Sequence, residues 1–78
     1  MWGVPAQLNV AMEECAELIV AISKAIRTGH PSDNLAEEMA DVEIMLEQIK
    51  EIYPQIVDNI AVYKKMKLER LGRKLENE

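Results

Sequence analysis

The chain has no phenylalanine, one tryptophan, two tyrosines and a single cysteine in 78 residues. One cysteine excludes an internal disulfide, and with one histidine no Cys/His zinc cluster can form. Cys15 lies in an apolar stretch and reads as a buried thiol in a reducing compartment. Only three glycines and three prolines, with no alternating β-branched runs, leave few of the turns and pleated segments a sheet needs. No basic segment followed by an apolar run marks a secretory signal. The longest uncharged run near a helix, LIVAIS (18–23), is far too short to cross a bilayer. A cytoplasmic protein without membrane attachment is the expectation. A chain of this size buries only about 60% of its unfolded surface, so partner chains are expected to complete it.

The net charge of −5 hides an asymmetry. Residues 1–59 carry 11 acids and 3 bases, whereas residues 60–78 carry 3 acids and 6 bases. An acidic body disfavours a nucleic-acid polymer, which needs an extended basic track. It suits a metal cation on the acids, with an anion lying between that metal and the bases.

What is present is helical periodicity throughout. Pro5 suits the first turn of a helix running to about Arg27. In TGHPSDN (28–34), Gly29 can take the left-handed closing position and Pro31 cannot continue the helix. Ser32, Asp33 or Asn34 can cap the next helix, and Asn34 with Glu37 has capping-box spacing. That second helix is expected from about Leu35 to Ile52. Pro54 then marks a junction, and a third helix is expected to reach about Leu71 and close at Gly72.

At about 100° per residue, Leu35, Met39, Val42, Leu46 and Ile49 define the apolar arc of the second helix. Glu38 falls inside that arc and Asp41 at its margin, Glu37 is intermediate, and Glu43, Glu47 and Glu51 point away. On the first helix the main arc reads as Leu8, Met12, Cys15, Ile19, Ile22 and Ile26. Glu14 lies at its edge beside Leu18, Ala21 and Ala25. Glu17 is further round, with Lys24 two turns along on the same side, and Glu13 faces away. This helix is apolar over more than half its circumference, so its second side is expected to meet another helix or chain.

Carboxylates aimed at a core are costly unless paired or bound to metal, and several together repel. Oxygen-only ligands suit Mg2+ or Mn2+ rather than Zn2+. In an antiparallel hairpin, an acid pair spaced i,i+3 on each helix can face the other pair across one layer. The bland alternative is a solvated acidic face, since Glu-rich helices produce ExxE and ExxD by chance.

EECAE (13–17), followed by EMAD (38–41), resembles the EExxE…ExxD signature of the MazG-like, all-α nucleoside triphosphate pyrophosphohydrolases. That superfamily also includes dimeric dUTPases and phosphoribosyl-ATP pyrophosphohydrolases. WGVPAQLNVAMEECAELIVAISKAIR and NLAEEMADVEIMLEQI look like its short, single-domain, phage-type members. The resemblance implies Mg2+-dependent hydrolysis of a nucleoside triphosphate between the α and β phosphates, giving a nucleoside monophosphate and pyrophosphate, as in nucleotide-pool cleansing. By position, Glu14, Glu17, Glu38 and Asp41 match the metal-binding acids, and Glu13, Glu14 and Glu38 are the acids expected to serve catalysis. Family members often carry K-x-x-x-N-x-R on the third helix. Lys64 and Arg70 match it, but Leu68 replaces the Asn, which puts one substrate or metal contact in doubt. The resemblance also implies a homodimer or homotetramer in which helices pair into four-helix-bundle units.

Lys24, Lys64 and Arg70 read as phosphate-binding bases or as a solvated face with stems over the core. Trp2 and Gln7 read as base contacts, or Trp2 as a plug at a subunit boundary. His30 sits in a Gly-Pro loop, and neither acidic helix has the Glu-x-x-His pattern of a di-iron bundle. The expected fold is all-α: one domain, 1–78, an antiparallel bundle of about three main helices completed by oligomerisation. The alternative to the hydrolase is a non-catalytic helical interaction or nucleotide-binding module. Four core-edge carboxylates held together favour the enzyme.

Overall fold

The computed structural model describes residues 3–76, which form three helices and no strands. Helix α1 spans Val4–Thr28, α2 spans Asp33–Ile52, and α3 spans Val57–Glu76, with a 3-10 turn at Pro54–Ile56 before α3. Pro5 sits in the first turn of α1, where a missing N–H costs nothing. Gly29 closes α1 in the left-handed region (φ 83°), its N–H donating to the Ala25 carbonyl at 2.9 Å. Ser32 precedes α2 in extended backbone without a side-chain cap; its hydroxyl bonds the Asn34 side chain instead. The capping box of Asn34 and Glu37 therefore does not form, because α2 starts two residues earlier than that pairing requires.

Helices α1 and α2 pack along their length as a hairpin, while α3 is held mainly at its start by the 3-10 turn. Only Ala11 and Ala21 are fully buried among the described residues. The side of α1 that meets α2 carries Ala11, Ala21 and Ala25, which let the two backbones approach, with Leu18 half-buried among them. This corrects the sequence reading. The supposed main arc of α1 is the outward one, with Ile19 67% and Ile26 77% exposed. Cys15 lies on the same stripe and is exposed, not buried. Large side chains would hold α2 off, so the alanine side becomes the contact and the branched side is left to other partners.

A second correction concerns Gly72. The helix runs straight through it to Glu76, and nothing lies within 4 Å of where a Cβ would stand. A glycine ends a helix only when the chain turns there. Here the next turn of α3 keeps its hydrogen-bond ladder, at a propensity cost of about 1 kcal/mol.

The body is flat, 50 × 35 × 14 Å, with a radius of gyration of 15.7 Å. A compact chain of this length would have a radius near ~11.5 Å. Its accessible surface is 6528 Å2, against about 4,800 Å2 for a compact monomer of its mass. The helices of one chain do not close around a core.

Candidate metal centre

The α1–α2 contact that buries Ala11 and Ala21 also contains Glu14. It lies one turn after Ala11 and two turns before Ala21, on the side of α1 turned to α2. Glu17 follows one turn later, more exposed. From α2, Glu38 and Asp41 face the same layer, both half-buried. One carboxylate oxygen from each of Glu14, Glu17 and Glu38 lies within 4.8 Å of the other two. Oxygens sharing one hard cation at its usual bond lengths are at most about 4 to 5 Å apart, so the cluster has the right span.

The electrostatics agree with the geometry. Lost hydration between the helices is the main cause that raises the Glu14 carboxyl above the ordinary range. The charges of Glu17, Asp41 and Glu38 add to it, as does a hydrogen bond with Asp41. Glu38 is raised for the same leading reason, then by the charge of Glu17, a hydrogen bond with Glu17, and the charges of Asp41 and Glu37. Although both residues are half-exposed overall, Oε2 of Glu14 and Oε2 of Glu38 are closed from solvent and have no hydrogen-bond partner. The two facts are consistent. An ionised carboxylate only accepts, so beside other carboxylates it has no donor; once protonated it can donate, Glu14 to Asp41 and Glu38 to Glu17. A pair of orphaned, closed-off carboxylate oxygens is costly unless a proton or a cation supplies the missing charge.

Glu14, Glu17 and Glu38 are thus brought together, with Asp41 beside Glu14 but outside the triad of close oxygens, and an all-oxygen set of this kind fits a hard divalent cation such as Mg2+. Glu13 is exposed and stands outside the group. Lys24 is exposed on Glu17's side of α1. Gln7 is half-buried and lines a shallow cavity of about 260 Å3 with Gln48, Val10 and Met45, the last two being four residues along their helices from Glu14 and Asp41. The sequence reading passed over Gln48, although it lies seven residues after Asp41 and so shares its side of α2. Trp2 lies outside the described residues. Lys64 and Arg70 are on α3 and exposed. Lys64 lines a groove with Glu43 and Glu47, more than 100° round α2 from Glu38 and Asp41 by helical geometry. One chain therefore does not place these bases beside its own acids.

Comparison with models of known families, with characterised proteins and with solved structures finds no match.

Proposed function

We propose that the chain is a Mg2+-dependent nucleoside triphosphate pyrophosphohydrolase of the MazG-like kind, working as a homo-oligomer. One observation carries this reading: two carboxylate oxygens, on facing helices, are sealed from water and left without a donor inside a cluster of three acids, Glu14, Glu17 and Glu38. A scaffold gains nothing from that arrangement, whereas a cation site requires it. The EExxE…ExxD resemblance supports the same positions.

Glu14, Glu17 and Glu38 would hold the cation, with Asp41 beside Glu14. Mn2+ would be accepted by the same ligands. The bound cation supplies charge neutralisation on the phosphates and acidifies a coordinated water. The chain's own residues do the rest. The Glu14 carboxyl, once protonated, can donate a hydrogen bond to Asp41 beside it, so the cluster can hold a proton before the cation enters. Lys24 is the one base on the hairpin placed on the side of Glu17. The Gln7 and Gln48 amides beside their cavity offer both donors and acceptors to a base edge. The reaction consumes water, cleaves the anhydride between the α and β phosphates, and leaves nucleoside monophosphate and pyrophosphate.

The apolar stripes support the oligomer. Met12, Cys15, Ile19, Ile22 and Ile26 repeat at alternating steps of three and four, as do Met39, Val42, Leu46 and Ile49 on the neighbouring helix. Two such hairpins face to face make a four-helix bundle.

The test is pyrophosphate release from a panel of nucleoside and deoxynucleoside triphosphates, with Mg2+ and with EDTA, beside Glu38→Gln. Release that needs the metal and disappears in the variant is the expected result. A folded protein that releases none, and whose melting temperature Mg2+ does not raise, would leave the non-catalytic helical module.

A further inference from the structure

Helix α3 carries a third stripe of the same kind, and its own chain does not cover it. Val57, Ala61, Lys64, Leu68, Leu71 and Leu75 alternate steps of four and three, the spacing of a coiled-coil seam with one lysine inside it. Shelter is confined to Ile56 of the 3-10 turn and Ile60 in the first turn of α3. Further along, Leu68 is 63% and Leu75 62% exposed. Between α3 and α2 lies an open wedge of about 870 Å3, reached from the seam at Lys64, with Ile44, Ile56 and Ile60 in its floor and Leu46 and Ile49 at the edge it shares with the hairpin stripe. Its α2 edge carries Glu43 and Glu47. Glu47 is paired with Lys50 along the helix at 3.2 Å, while Glu43 has no ion-pair partner among the described residues.

An amphipathic helix with an apolar seam and one basic flank suits that edge. Helix α3 itself has that form, with Lys67 and Lys74 on the same flank of the seam. The surface ledger points the same way. The chain exposes about 1,700 Å2 more than a compact monomer, whereas one standard interface covers about 800 Å2 per partner. The excess leaves room for two contacts per chain, one on the hairpin face and one here.

We propose that the wedge receives α3 of a second copy, the two α3 helices lying antiparallel with their seams together. Parallel pairing would oppose Lys64 to Lys64 of the partner subunit inside the seam. Antiparallel pairing sets Lys64 against Leu68 of the partner subunit and turns the flanking lysines of each copy toward the acids of the other's α2. The contact is two-fold and self-complementary. It extends the oligomer proposed above to a second interface and does not depend on hydrolysis.

Cysteine pairing tests the geometry. In a Cys15→Ala background, Lys64→Cys chains are mixed with Leu68→Cys chains and oxidised gently. The mixed disulfide is expected to exceed both like-with-like products several-fold. Like-with-like products alone would overturn the antiparallel arrangement. Light scattering gives the independent readout: Leu71→Asp is expected to halve the particle mass with helix content retained. No disulfide, together with an unchanged mass for Leu71→Asp, would mean that something other than a second α3 fills the wedge. Ile19→Asp separates this contact from the hairpin-face one, because it should lower the mass while leaving the mixed disulfide in place.

Discussion

Glu14 and Glu38 are the residues on which stability and the proposed function meet. Both carboxyls are raised by lost hydration first and by neighbouring acids second. A raised carboxyl means that the folded protein binds protons more tightly than the unfolded chain. Stability therefore falls as pH rises, from the unfolded value near about 4.3 through the raised folded value. The metal-free protein is expected to melt higher at pH 4.5 than at pH 7.5, as followed by circular dichroism in EDTA. A midpoint that rises with pH over this range would mean that the two acids are not strained in the metal-free fold. Mg2+ should reverse the trend at neutral pH, since a cation replaces the missing protons. At a hundred times its dissociation constant, a ligand specific to the folded state adds about 2.7 kcal/mol. Glu38→Gln should melt higher than the parent without metal and gain little from Mg2+. A parent-like gain in that variant would place the cation elsewhere.

At the scale of the helices, the sequence showed the elements more clearly than their contacts. Pro5, Gly29 and Pro54 are local signals, and each acts in the structure at or next to the boundary it suggested. Glu38 was legible as well, because a charge inside an apolar arc conflicts with burial. The facing side of α1 was not, since periodicity ranks residues by hydrophobicity while packing of two close helices selects by size. Alanines at 11, 21 and 25 won the contact over isoleucines at 19, 22 and 26, and this moved Glu14 from the edge of an arc to the middle of an interface. Two substitutions check this account. Ala21→Leu should push the helices apart at the cost of about 1 to 3 kcal/mol, read as a lower urea midpoint. It should also weaken Mg2+ stabilisation, because Ala21 lies one turn beyond Glu17. Gly29→Ala meets no atom within 4 Å, so its cost is the left-handed backbone alone, about 1 kcal/mol. It should leave the response to Mg2+ as it is.

For the molecule as a whole, what matters is how little one chain encloses. Among the described residues no large side chain is fully buried, and each of the three helices leaves a heptad-spaced apolar stripe partly in water. A helix of 20 residues, the length of α3, is only marginally stable alone in water unless its apolar face is covered. The sequence carried this too, in the excess of apolar circumference on the first helix, but it could not say which stripe meets which. If second copies cover the stripes, folding and association are one equilibrium, and stability depends on concentration. A hundred-fold rise in protein concentration should lift the melting midpoint by roughly 5 to 10 °C for a chain of this size. Replacing Ile19 by Asp puts a charge in the middle of the hairpin stripe, so the midpoint should fall and its concentration dependence should weaken. Scanning calorimetry over that range decides the matter. A midpoint independent of concentration in the parent would mean that the single chain stands alone despite its open stripes, and that its acid cluster has no copy facing it.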